Sequence, residues 1–332
     1  MTAGDAPGGG VGGKFQGFRY GLAAAEGDGE GCIEGIPGTG GVHGGDGKGG
    51  EEQPFGESHQ KGTPAAQSDD GIGQPGGAEC GGSDYTSGLA GNVVVGRFYD
   101  RLVDLGGTAI FEEIVEAIGL DRLLTSRAAN EKARRELQYT YDKALDYCKS
   151  VRQYSVSPGN FAGGLSTIEE KSMGAVIKSG SQPIEGVIKV GSAAPHSGLW
   201  LLDSTPDPYW MQFGITNPND NEGLMDLVSC GAHLVFLVTG RGNVIGSAIG
   251  PCIKVTGNAA TYARMTGDMD FDASPILTGK ESQEETTERL MKMVAEVASG
   301  TQSKSESLGH KEFFIPYKYQ EKAVAFTCGC KM

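Results

Sequence analysis

Leu234-Val235-Phe236-Leu237-Val238 runs straight into Thr239-Gly240-Arg241-Gly242-Asn243. Five consecutive apolar residues are too few for a core helix and suit a strand buried on both faces. The strand then delivers an arginine between two glycines. The same reading applies to the apolar runs at 199–202, 225–228 and 253–255, and a long amphipathic helix is expected over about 282–298. Upstream, residues 93–151 read as helix, strand, helix, helix. Phe98, Leu102 and Leu105 form one helical stripe, residues 108–111 are a short strand, and Leu137, Tyr141, Ala144, Cys148 and Val151 form a second stripe spaced by four and three. Short apolar strands alternating with helices predict an α/β domain: a mainly parallel sheet with helices on both faces.

Composition divides the chain. Of its 55 glycines, 26 fall in the first 78 residues, without a Gly-X-Y period. Residues 1–78 therefore read as a low-complexity, disordered segment that buries too little apolar surface to offset its ordering entropy. Residues 79–326 form one folded domain and 327–332 a tail. A formal charge of −14 with pI near 4.8 excludes a polyanion partner, since nucleic-acid binding needs clustered Lys and Arg. No apolar run approaches the ~20 residues that span a bilayer, and residues 1–10 lack the features of a signal peptide, so a cytoplasmic protein is expected. Seven widely spaced cysteines do not form a disulfide scaffold pattern.

The chemistry-bearing residues sit in turns after the apolar runs, where α/β sheets bind ligands. Glu79-Cys80-Gly81-Gly82-Ser83-Asp84-Tyr85-Thr86-Ser87-Gly88 places a thiol, a carboxylate and hydroxyls on a backbone whose glycines permit close approach to a ligand. The plain alternative is a glycine turn with Asp84 capping a helix and Cys80 buried. Residues 158–171 open a Gly-rich loop, including Asn160, onto a helix start that suits an anion, with Glu170 and Lys171 as acid and base; Lys178 and Ser179 follow. Here the alternative is a capping box between Thr167 and Glu170. Asp203 ends the run at 199–202. Arg241 is the preferred clamp for a substrate carboxylate, because a guanidinium grips it with two prongs; an exposed turn arginine is the alternative. In Asp268-Met269-Asp270-Phe271-Asp272, alternating carboxylates can face one side and bind a hard cation, or simply be solvated. His310 is the better of the two histidines in the apolar-rich half for proton transfer, though either can be a satisfied core histidine.

The order of the motifs is more specific than any one of them. Glu79-Cys80-Gly81-Gly82-Ser83-Asp84, residues 102–110 (Leu-Val-Asp-Leu-Gly-Gly-Thr-Ala-Ile), Asn160 with Ala-Gly-Gly-Leu-Ser-Thr-Ile-Glu-Glu-Lys-Ser-Met-Gly at 162–174, Lys178-Ser179-Gly180-Ser181, Thr239-Gly240-Arg241-Gly242, Asp268-Met269-Asp270 and residues 298–306 resemble the C-terminal domain of altronate and galactarate dehydratases. That resemblance implies metal-assisted loss of water from a sugar acid to give a 2-keto-3-deoxy acid, with a divalent transition metal, Fe2+ or alternatively Mn2+. It also implies kinship with the large subunit of sulfolactate sulfo-lyase, which releases sulfite. Residue type and motif position give the expected roles: Cys80, Asp268 and Asp270 near the metal; Ser83, Asp84, Ser87, Asn160, Lys178, Ser179, Asp203 and Arg241 on the substrate; Glu170, Lys171 and His310 moving protons. A separate small N-terminal-type subunit and a homo-oligomer are the expected partners. Residues 1–78 match nothing of the family's upstream regions, which points to a fragmentary or frame-shifted reading frame before Glu79. The stretch 203–222 also departs from the altronate and galactarate enzymes, leaving the substrate open. The competing reading is a non-catalytic binding or scaffold subunit.

Overall fold

A computed structural model describes residues 84–151, 158–205 and 220–313, which belong to one compact unit spanning Asp70–Met332. The expectations for residues 1–78 and for the 327–332 tail lie outside the described residues, as do Cys80 and Ser83.

A π-helical turn, Ser87–Gly91, continues into helix α1 (Asn92–Asp104), followed by strand β1 (Thr108–Phe111). Helices α2 (Asp121–Ser126), α3 (Glu131–Val151), α4 (Pro158–Ala162) and α5 (Ile168–Ile177) lead to strands β2 (Ile184–Lys189) and β3 (Gly198–Asp203). Helix α6 (Asp220–Ser229), strands β4 (Val235–Val238) and β5 (Cys252–Thr256), helix α7 (Ala259–Arg264), the short β6 (Phe271–Asp272), and helices α8 (Gln283–Ala298) and α9 (Lys304–Leu308) complete the described chain.

Among the described residues every strand pairing is parallel, as the apolar runs predict, but the strands divide between two three-stranded sheets, β1-β3-β2 and β4-β5-β6. The central strands β3 and β5 are buried at every position. Along β3, Leu199 and Leu201 enter a core with α3, while Trp200 and Leu202 enter another with α6, so helices cover both faces. In the second sheet, Val238, Ile253 and Val255 pack with α1 and α8, and Val235, Leu237 and Cys252 join the α6 core shared with the first sheet.

The stripe on α3 buries Leu137, Tyr141, Ala144 and Cys148. At roughly 1.5–3 kcal/mol for each large apolar side chain, that face is enough to hold a helix whose other side is charged. One run reads differently from expectation. Residues 225–228 lie within α6, because four apolar residues cannot distinguish strand from buried helix, and Asp220 and Glu222 in the first turn favour the helix. Among the described residues, no helix is long and apolar enough to cross a membrane.

Candidate active site

Strands β4 and β5 end side by side, and each runs into a glycine turn, Thr239-Gly240 and Gly257-Asn258. Both glycines lie where another segment comes too close for a side chain. A Cβ on Gly240 would overlap the Asp84 carboxylate, and a Cβ on Gly257 would overlap the carbonyl oxygen of Thr86. The segment beginning at Asp84 is thus seated on the carboxyl ends of β4 and β5.

Asp84 is 4 % exposed and its oxygens are well used. Oδ1 accepts from the Thr86 hydroxyl at 2.6 Å, the Ser87 amide at 3.1 Å and the Ser87 hydroxyl at 3.3 Å. Oδ2 accepts from Asn258 Nδ2 at 2.9 Å. The other end of the Asn258 amide caps α7, accepting from the Ala260 and Thr261 amides, and Thr261 in turn donates to the Gly240 carbonyl at 2.7 Å. One residue on, the Tyr85 amide donates to the Gly163 carbonyl at 3.2 Å, and Gly163 donates to Asn160. Asn160 Oδ1 accepts from the buried Lys171 ammonium at 2.6 Å. Hydrogen bonds and the Asp84-Tyr85 peptide therefore connect Asn258, Asp84, the Gly163 turn, Asn160 and Lys171. Three separated motifs converge here, with Arg241 exposed on the turn after Gly240 and its carbonyl 3.5 Å from Arg264 Nη2.

The remaining sequence candidates lie elsewhere. Glu170 is exposed at the start of α5, where its carboxylate accepts from the Ser166 amide and hydroxyl while its own amide is capped by Thr167. Hydrogen bonds from the Ser166 hydroxyl and then its amide hold Glu170 below the usual carboxylate range, against a smaller effect of burial. Lys178 pairs with the buried Glu113 at 2.5 Å, and the Ser179 hydroxyl is held between Arg127 and the Val176 carbonyl. Asp203 pairs with Lys143 and accepts from the Thr205 amide at 3.2 Å. These three belong to the first sheet and its flanking helices.

Asp268 and Asp270 precede β6, at the amino end of the strand rather than its carboxyl end. Both Asp270 oxygens are engaged, accepting from the Lys254 amide at 2.8 Å and the Lys304 amide at 2.7 Å. Burial nonetheless raises its pKa, the two amides and the nearby lysines pulling the other way. His310 pairs with Glu312 at 3.0 Å and packs beside Gly246 and Ser305, whose hydroxyl reaches the Cys252 carbonyl at the amino end of β5. Among the described residues, no three His, Cys, Asp or Glu side chains stand close enough to hold an ion, and Asp270 has no idle oxygen. The described residues therefore do not fit a metal centre. The three described cysteines, Cys148, Cys230 and Cys252, are buried and form no disulfide with one another, and burial pushes the Cys252 thiol up to about 12.

Sequence reasoning passed over Asn258 and Arg264. Asn258 had a readable signal, since Gly257-Asn258 repeats the strand-then-glycine arrangement of Val238-Thr239-Gly240.

Comparison with known proteins agrees with the motif order. The (2R)-sulfolactate sulfo-lyase subunit beta of Chromohalobacter salexigens is 32% identical over 249 residues, covering 73% of this chain and 61% of that protein. The altronate dehydratase of Bacillus subtilis is 33% identical over 249 residues, 72% of this chain and 46% of the relative. The galactarate dehydratase (L-threo-forming) of Escherichia coli is 34% identical over 227 residues, 68% of this chain and 41% of the relative. The chain thus spans between two-fifths and about three-fifths of the length of these relatives. The family described as D-galactarate/altronate dehydratase, C-terminal, matches residues 76–321, and the chain belongs to that family.

Proposed function

We propose that this domain is the catalytic portion of a lyase that eliminates water, or alternatively sulfite, from a small hydroxy acid. The observation that carries the reading is the hydrogen-bonded chain from Asn258 through Asp84 and Gly163 to Lys171, which draws three motifs to the carboxyl ends of β4 and β5. Elimination next to a carboxylate needs three things: a cation to hold the acid and its enediolate, a group to take the α-proton, and a group to protonate the departing oxygen. Arg241, exposed on the Gly240 turn, holds the substrate carboxylate, with Arg264 adding positive charge beside it. Lys171, its side chain aimed by Asn160, serves both proton steps: as the neutral amine it takes the α-proton, and the ammonium so formed returns that proton to the departing oxygen. Asp84 and Asn258 are positioning residues that fix the Arg241 turn against the Gly163 turn.

Glu170 and His310 are left out of the proton path, since one caps a helix and the other pairs with Glu312 near the amino end of β5. The family resemblance implies a transition metal, but the described residues do not fit one and no step here is routed through it. Water and sulfite stand as alternative leaving groups, since the chain is 32% identical to the sulfo-lyase subunit and 33% identical to the Bacillus subtilis altronate dehydratase over 249 residues each. Because that relative is named as a subunit, a partner subunit is part of the proposal.

The test offers altronate, galactarate and (2R)-sulfolactate, following 2-keto acid and sulfite. Lys171→Met is expected to lower kcat by about 10²–10⁴, the range of positioned proton transfer, and to lower the melting temperature because it strands the buried Asn160 oxygen. Arg241→Lys is expected to raise KM and lower kcat/KM by about tenfold or more, because lysine cannot reproduce the two-pronged grip. Turnover within about threefold of the parent in Lys171→Met removes it from the chemistry.

A further inference from the structure

Not all of the apolar side chains that this chain orders are covered. Tyr85 and Leu89, at and just before the π-helical turn, and Phe161, Met173 and Ile177, on α4 and α5, are between 40 % and 58 % exposed. They sit on segments that are fastened together. The π-helical turn and α5 cross at Gly88 and Gly174, so closely that a Cβ on Gly174 would lie 3.3 Å from the Gly88 Cα. Asn92 Nδ2 donates to the Gly174 carbonyl at 2.8 Å, and the Tyr85 amide donates to the Gly163 carbonyl. With glycines at the crossing, no side chain rises between the two elements. A firm backbone that presents five large apolar groups is the pattern of a docking face, since isolated soluble surfaces seldom cluster them.

We infer that this face docks a separate protein domain, the counterpart of the part of altronate dehydratase that the present domain does not match. Two findings choose that occupant. The matched region is described as C-terminal and accounts for only 46% of the Bacillus subtilis altronate dehydratase, so that enzyme carries further chain besides this domain. The sulfo-lyase relative is named as one subunit, so there the complementary part is a separate chain. Exposed Glu169 and Glu170 stand at the start of α5, so the occupant meets this face with apolar residues rimmed by Lys and Arg. Tyr85 directly follows Asp84, which places the docked domain at the edge of the site proposed above. The inference rests on that reading for its functional meaning, but not for the contact itself.

The experiment mixes the full chain with the purified segment of Bacillus subtilis altronate dehydratase that lies outside the matched region. Binding is followed by calorimetry and mass by light scattering. A one-to-one complex is expected, and Leu89→Asp combined with Met173→Asp is expected to weaken it by about tenfold or more while the melting temperature and circular dichroism of the isolated chain stay unchanged. Single Leu89→Ala and Met173→Ala variants, which add no charge, are expected to weaken it by about threefold each and guard against misfolding of the double variant. No complex up to about 100 μM overturns the inference. So does a complex indifferent to these substitutions, or a self-association of the chain that they abolish. Elimination assayed on the same mixtures separates the two readings. A complex without turnover on any of the three acids counts against the lyase and leaves the docking face standing, whereas turnover without a complex does the reverse.

Discussion

The two ends of β5 gather family motifs in opposite ways. At the carboxyl end, the segment from Asp84 is brought in by glycines: Gly240 and Gly257 leave room that no other residue could, and the polar groups that meet there come from three distant stretches of chain. Arg241 is left exposed on the turn. Toward the amino end, the Ser305 hydroxyl reaches the Cys252 carbonyl, both oxygens of Asp270, beside mid-strand Lys254, are bound to the Lys254 and Lys304 amides, and His310 is paired to Glu312. What separates the candidate site from the structural joint is that its polar contacts tie three distant segments together and leave Arg241 exposed beside them.

The sharpest way to break the comparison is at Gly240. Alanine there drives a Cβ into the Asp84 carboxylate, so either the carboxylate or the turn must move. Gly240→Ala is expected to cost about 3 kcal/mol or more and to lower kcat/KM by over about 100-fold, because the Arg241 turn shifts with it. Thermal denaturation and steady-state kinetics read the two effects. Combining it with Asp84→Ser, a smaller residue that keeps an oxygen, is expected to restore at least about 1 kcal/mol. Additive losses would show that the two residues do not meet.

At the amino end the expected effect is smaller and falls on stability. Asp270→Ala strands the buried amide of Lys254 and removes the partner of the part-buried Lys304 amide, so a loss of about 1–3 kcal/mol is expected in urea unfolding. Activity of the folded fraction should stay within about threefold. If Asp270 is instead a metal ligand, the variant loses both turnover and bound metal at unchanged stability, which elemental analysis of the purified protein would reveal.

Much of this was open to sequence reasoning, for identifiable reasons. Val235–Val238 and Cys252–Thr256 are strands because short β-branched runs buried on both faces leave an unbroken apolar signature. The stripe on α3 and the Ser282 capping box on α8 are equally local. Division of the strands into two sheets was not legible, since pairing partners are chosen by packing between distant segments. The same limit applied to Asp268 and Asp270. Alternating carboxylates before a strand and after one look identical in sequence, yet only the latter stand at the carboxyl edge. Lys254 shows the limit most plainly: a lysine in mid-strand suggests an exposed edge, but it is wholly buried, its ammonium donating to the Val244 and Ile245 carbonyls.

The smallest expected effect separates Glu170 the cap from Glu170 the catalyst. Its carboxylate is held below the usual range chiefly by the Ser166 hydroxyl and amide, so its folded pKa lies under its unfolded value. A depressed carboxylate adds stability that is fully present above the unfolded pKa, near 4.3, and is lost as pH falls through the folded one. Glu170→Gln is therefore expected to cost about 0.5–1 kcal/mol at pH 7, the scale of an exposed helix cap, with the difference from the parent shrinking below about pH 4.5. Asp270, raised by burial, contributes with the opposite sign, stability declining as pH rises from its unfolded pKa to its folded one, so the two are told apart by repeating the titration in each variant. Turnover of Glu170→Gln should remain within about threefold of the parent. A fall of more than about 100-fold with no change in melting temperature would instead move the proton path from Lys171 to the residue beside it.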